Sequence, residues 1–233
     1  MLPTETHSVQ TRPDQGPWKS TAWLLGGWTC ILAAVIAVGL LLIGPLKGSV
    51  GAADNRLGVW LVSHRSTSLN HAASAVSLVG NSITELIVGL GLVFYIWWST
   101  RTARPVIFVA VVLVGEAAIY LITANLVSRP RPPVHILDSG LVPTHSYPSG
   151  HVAAATASCG ILVVLIWSRA HGRAKAVAAL LLALPPLVAV ARMYEGAHHL
   201  TDVFIGMVYA GVWLSVAVAV LLRESASLQR QPR

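Results

Sequence analysis

A polytopic α-helical membrane bundle of six spans is the fold class this sequence predicts, and three observations predict it. Of 233 residues, 55% are hydrophobic and only 11% are charged, with a mean hydropathy of +0.67. A soluble domain carries about 25% charged residues, so there is too little charge here to coat a surface facing water. The apolar content excludes a disordered chain, and a count of two cysteines excludes a disulfide-stapled secreted domain. The apolar stretches are long and continuous rather than alternating. That favours helices over a closed barrel, the other structure that satisfies its backbone hydrogen bonds in lipid.

A helix crossing the roughly 30 Å hydrocarbon core needs about 20 mostly apolar residues. Reading between charges, the first span runs from about Thr21 to Ile43, too long for a signal-peptide core. The second starts between Leu69 and Asn81 and ends at Trp97-Trp98; the third covers Pro105 to about Val127. The fourth covers His151 to Trp167, the fifth Ala176 to Ala191 with a kink expected at Pro185-Pro186, and the sixth Asp202 to Leu222. After Asp54, a plausible cap, Leu57, Trp60 and Leu61 at helical spacing predict a short helix lying at the interface. Polar tails at residues 1–20 and 223–233 flank one membrane domain, residues 21–222. Trp18, Trp23, Trp28, Trp60, Trp97 and Trp98 are expected in the interfacial belt.

The net charge of +7 has a topological explanation. Six spans place both termini on one side. With that side cytoplasmic, the inside segments hold ten Lys and Arg and the outside segments six, the bias expected of cytoplasmic loops. Nucleic acid is excluded as a partner, because no basic run interleaved with aromatics is present. Cys30 and Cys159 fall in apolar stretches and are expected to behave as small hydrophobes.

Two connections on the same side carry the chemistry. One reads Ser128-Arg129-Pro130-Arg131-Pro132-Pro133 and continues to Tyr147-Pro148-Ser149-Gly150-His151; the other runs from Ala191-Arg192 to His198-His199-Leu200-Thr201-Asp202. Pro-Ser-Gly-His opens a helix, whose free N–H groups and dipole favour an anion; Ser149 adds a hydroxyl and Gly150 allows close approach to the backbone. His198 and Asp202, four apart, share a helical face, so the carboxylate is expected to fix the imidazole tautomer. Arg131 and Arg192 are planar forks suited to phosphate oxygens. His198 and Asp202 also have the spacing of metal ligands, but arginine neighbours disfavour a divalent cation, and no metal or other cofactor is expected.

With these residues in hand, the sequence resembles the type 2 phosphatidic acid phosphatase superfamily of membrane lipid phosphatases. Arg131-Pro132 match the end of its Lys-x6-Arg-Pro motif, Pro148 to His151 match Pro-Ser-Gly-His, and Arg192, His198 and Asp202 match Ser-Arg-x5-His-x3-Asp. The resemblance implies a metal-independent phosphohydrolase with a phosphohistidine intermediate. His198 would attack phosphorus, Asp202 would hold it, and His151 would protonate the leaving oxygen and then activate water. Arg131, Arg192, Ser149 and the Gly150 amide would stabilise the equatorial oxygens. Two positions depart from the pattern. Ala191 replaces the motif serine, and Ala124 stands seven residues before Arg131 where the motif has lysine. Arg129 is the candidate to swing in for that missing cation.

The expected substrate is a lipid phosphate or diphosphate entering sideways from the leaflet at the extracytoplasmic face of the inner membrane. The resemblance offers undecaprenyl diphosphate, phosphatidic acid and phosphatidylglycerol phosphate as candidates. A phosphotransferase would use the same residues, and a non-catalytic lipid-phosphate binder finds support in Ala124. A small transporter finds weak support in Glu85 and Glu116, ionisable residues inside the second and third spans; a structural hydrogen bond or internal ion pair is the favoured reading of both.

Overall fold

The computed structural model describes residues 17–169 and 171–223, which form a helical bundle; among them, six helical segments are long and apolar enough to cross a membrane. α1 (Pro17–Ile43) starts on a proline, harmless in a first turn where the N–H has no intrahelical acceptor. It takes in residues 17–20 of the expected N-terminal tail; the rest of that tail, and residues 224–233 of the C-terminal one, lie outside the described residues.

A π-helical turn (Lys47–Gly51) leads into the expected short helix, α2 (Ala52–Ser63). Its cap differs from expectation. Gly51 holds the cap position, while Asp54 sits inside the first turn, 5% exposed and paired with an arginine from another loop. The ambiguous start of the second span resolves into two helices. α3 (Thr67–Ser77), capped by Ser66 Oγ accepting from Leu69 N–H, is separated by a 3₁₀ turn from α4 (Ser82–Thr100), capped by Asn81. Asn70, His71, Gly80 and Asn81 make that start ambiguous in the sequence because they belong to α3 and to the joint before α4.

α5 (Ala103–Val127) and α6 (Gly150–Trp167) follow as read. The fifth span breaks where its prolines predict. α7 (Arg173–Leu180) gives way to a 3₁₀ turn, and Pro185 and Pro186 fall in the first turn of α8 (Leu184–Tyr194), where the lost donors are tolerated. α9 (Leu200–Ala217) ends in a π-helical turn reaching Arg223.

Burial separates the spans by task. In α6, 56% of the span window is buried, against 11% in α4. The difference is written in residue size: Ala153, Ala154, Ala155, Ala157 and Gly160 let neighbouring helices approach α6 closely, as lipid-embedded packing requires. Ile96, Phe108, Val112, Ile161 and Trp213 form one core cluster; Val35, Ile119, Tyr147 and Tyr209 anchor another. Trp28 leaves the expected belt: its indole N–H donates to Gly115 O at 2.9 Å inside the bundle. Trp18, Trp23, Trp60, Trp97 and Trp98 are exposed. Glu116 is buried and accepts from the Tyr209 hydroxyl at 3.0 Å, the structural hydrogen bond expected of it.

Candidate active site

Three connections meet at one end of the bundle: residues 44–81, 128–149 and 195–199. They are sewn together by backbone and side-chain bonds. Ser149 N–H donates to Asp202 O at 3.0 Å, Leu137 N–H to Glu195 O at 3.0 Å, and Arg65 holds Tyr194 O and His135 O from the first connection. Two glycines make the approach possible. A Cβ on Gly206 would stand 2.7 Å from Ser149 O, and one on Gly80 would stand 2.0 Å from His151 O. Neither position admits a side chain without moving the Pro-Ser-Gly-His turn.

At this turn, Ser149 is the N-cap of α6 and His151 faces a cavity of about 440 Å³. Arg192, 1% exposed, comes from the last turn of α8 into the same cavity. Its Nη1 donates to Glu195 at 2.8 Å and to Asp138 at 3.0 Å, while Nε and Nη2 are buried without a partner. Ser149 Oγ is likewise buried and unpartnered. Buried donors in a folded protein are nearly always paired, so three left open near a helix N-terminus are chemically suited to an anion. Gly150 also makes room for a neighbour. The face where its Cβ would lie is filled by the Tyr120 ring at 3.1 Å, so it admits a neighbouring side chain there.

His198 lies beside this seat, but its orientation differs from the sequence expectation. Nδ1 meets Ser146 O at 2.7 Å, whereas the nearest Asp202 oxygen is 3.9 Å away. A carbonyl can only accept, so Nδ1 carries the proton and Nε2 is left bare. Burial, then the charges of Arg192 and Arg131 and the nearby His151, holds the imidazole well below the usual histidine range. It is therefore neutral at physiological pH, with its lone pair available.

Asp202 reaches His198 through Ser146. Its Oδ2 accepts from Ser146 Oγ at 2.5 Å and from the His199 N–H at 2.8 Å, with His199 Nδ1 at 3.0 Å; its Oδ1 pairs with Arg129 Nη1 at 2.5 Å. Arg129 in turn bonds Thr201 Oγ1 and, through Nη2, Asp54 at 2.9 Å. This corrects the expectation that Arg129 swings in for the missing lysine, because its guanidinium is held between two buried carboxylates. Arg131 is also engaged: Nε, Nη1 and Nη2 donate to Val142 O, Ala197 O and His145 O. It staples the loops and lends its charge to the site. Ala124, where the motif has lysine, is 1% exposed in the packed face of α5.

The sequence reading had missed Ser146, Glu195, Asp138 and the role of Asp54. Only Asp54 carried a visible signal, being the single carboxylate between the first two spans.

A family model for the PAP2 superfamily matches residues 104–225, more than half the chain. The chain belongs to the PAP2 superfamily. No curated protein sequence matches it. Among solved structures, this PAP2 chain is similar to a transmembrane PAP2-type phosphatidylglycerolphosphate phosphatase from Bacillus subtilis. The identity is 19% and the TM-score 0.63, with 92% of this chain and 98% of that one covered. It is also similar to LpxE from Aquifex aeolicus, at 18% identity and TM-score 0.56, with 70% and 93% covered. At these identities the likeness establishes the shared PAP2 fold, a membrane-spanning helical bundle.

Proposed function

We propose that this PAP2 protein is a metal-independent lipid phosphatase that works through a phosphohistidine on His198. The observation that carries the reading is the set of open buried donors, Arg192 Nε and Nη2 and Ser149 Oγ, beside a neutral histidine with a bare Nε2. In this reading the phosphate sits on those donors and on the first N–H groups of α6. Nε2 of His198 attacks phosphorus, the bond to the lipid oxygen breaks, and His151, protonated under the negative charge of the bound phosphate, supplies the proton to that oxygen. His151 then takes a proton from water as the water oxygen displaces His198 from phosphorus, releasing phosphate. Ser146, Asp202 and Arg129 keep His198 in place, and Arg131 adds positive charge to the developing phosphorane. Such positioning and electrostatics is most of what phosphoryl transfer requires of a protein.

The substrate tail remains in lipid, and the positive-inside bias supports an extracytoplasmic site in the inner membrane. A cysteine placed at Ser139, which is exposed beside the cavity, tests the orientation in a background with Cys30 and Cys159 replaced. It should react with a membrane-impermeant thiol reagent on intact cells; reaction only after permeabilisation reverses the orientation.

The activity is tested by phosphate release from phosphatidylglycerol phosphate, phosphatidic acid and undecaprenyl diphosphate in EDTA. Release that survives EDTA and falls by roughly 10⁴-fold or more in His198→Ala is the expected outcome. Loss of release in EDTA points to a metal site instead, and absence of release from every lipid points to a binding protein.

A further inference from the structure

Five tyrosines are present, and one keeps its hydroxyl uncommitted. Tyr147 donates to Val35 O at 2.8 Å, Tyr194 to Asn70 Oδ1 at 3.0 Å and Tyr209 to Glu116 at 3.0 Å, while Tyr95 is 66% exposed. Tyr120 is half-buried, yet its hydroxyl has no hydrogen-bond partner among the described residues. A tyrosine inside a protein ordinarily finds one. Its place on α5 is specific. Glu116, Tyr120 and Ala124 follow at four-residue steps on one inward face, where Glu116 meets α9 and Tyr120 meets the first turn of α6. The ring lies against Gly150, and the carbon that bears the hydroxyl is 3.1 Å from where a Cβ on that glycine would stand. The open Ser149 hydroxyl belongs to the residue just before it. His151, His198 and Tyr120 all lie close enough to Arg131 and Arg192 to feel both charges.

The alanine at 124 gives this placement its meaning. Helical side chains lean toward the N-terminus, so a lysine at 124 would lie over the turn that carries Tyr120. Ala124 ends in its own packed face, and Arg129 is held by Asp54 and Asp202. Arg192 shares its charge with Asp138 and Glu195, and His71 and His151 bring protonatable nitrogens to the same cavity. Tyr120 adds a donor there without adding charge. Resting on the phosphatase reading above, we propose that Tyr120 is a catalytic residue. Its hydroxyl donates a hydrogen bond to a non-bridging oxygen of the phosphoryl group at the first turn of α6, in place of the motif lysine. The phenol keeps its proton through both steps, and no bond to it forms or breaks. The equatorial oxygens carry the charge of the transferring group, so a donor aimed at one of them acts on the transition state. Packing against Gly150 fixes that donor before the substrate arrives, and the two arginines polarise it.

Phosphate release by the purified full-length protein tests this, with phosphatidylglycerol phosphate and phosphatidic acid as substrates in EDTA. Tyr120→Phe keeps the ring on Gly150 and removes only the hydroxyl. It should lower kcat for whichever lipid is turned over by roughly tenfold to hundredfold, the effect of losing one donor to a charged group, with the melting temperature in detergent unchanged. Binding of orthovanadate, which takes up the five-coordinate geometry of the transition state, should weaken by a similar factor, and binding of inorganic phosphate by less. Tyr120→Leu, which removes ring and hydroxyl together, separates donation from packing. Wild-type kcat in Tyr120→Phe beside a loss in Tyr120→Leu makes the ring a packing element and overturns the proposal, while the phosphatase reading stands. A loss in Tyr120→Phe that appears in KM alone overturns it in the same way. Absence of His198-dependent release from either lipid overturns both.

Discussion

Two polar layers lie back to back at this end of the bundle, and they treat their hydrogen-bonding groups in opposite ways. In one, Arg192 at the cavity and Ser149 at the cap of α6 keep buried donors open. In the other, Oδ2 of Asp54, both carboxylate oxygens of Asp202 and the terminal nitrogens of Arg129 are bonded to one another or to Ser146, His199 and Thr201. The contrast divides labour. Open donors are costly in the resting protein and rewarded only by an anion, whereas a closed network of buried charges is stable alone and rigid. His198 stands between them, tied to the closed layer through Nδ1 and Ser146 O and close enough to Arg192 and His151 to feel their charge.

The comparison breaks most completely at Arg129. Removing it leaves two buried carboxylates unpaired, so Arg129→Ala should destabilise the protein by about 3–5 kcal/mol, visible as a lower melting temperature in detergent. Adding Asp54→Asn should recover part of that loss. If Arg129 instead served the phosphate, KM would rise with the melting temperature unchanged. Next in size, Arg192→Lys should lower kcat by roughly 10²–10³-fold, because a point charge cannot present the two open nitrogens of the fork. Its melting temperature should move little, since Lys can still reach the carboxylates.

Ser146→Ala sharpens the boundary. It keeps the carbonyl that orients His198 and removes the hydroxyl on Asp202, so a loss of about 1.5–3 kcal/mol in stability is expected with smaller loss of turnover. The smallest effect concerns pH. An imidazole held below its ordinary value stays neutral in the folded state as the medium acidifies, so protonation of His198 should not limit kcat/KM until well below pH ~6.5. Stability should fall over the same range, because the unfolded chain takes up a proton there that the folded chain refuses. A pH-rate profile and a series of melting curves measure the two.

Much of this was legible in the sequence because lipid forces long apolar segments and because the few charges cannot be spread over a surface. The spans, the kink at Pro185-Pro186 and the meeting of Arg192, Ser149 and His151 follow from spacing and loop parity alone. Direction of a side chain does not. Asp202 and His198 share a helical spacing, yet Leu200 already begins α9 and His199 is its cap, so His198 lies before the helix and turns to Ser146. Nor could spacing reveal that Arg129, two residues from Arg131, turns to Asp54, a partner 75 positions away in the chain. The place of α3 at the cavity was hidden for a related reason: its polar residues look like a weak start to a membrane span until the joint at Gly80 is seen.

That joint has one more meaning. Gly80 rests against the backbone of His151 and stands two residues before α4, the least buried of the spans described. A tilt of α4 to match a thicker or thinner bilayer is therefore passed directly to the base of the cavity. Turnover in vesicles of different acyl-chain length should therefore vary, through a contact only a residue without a side chain permits.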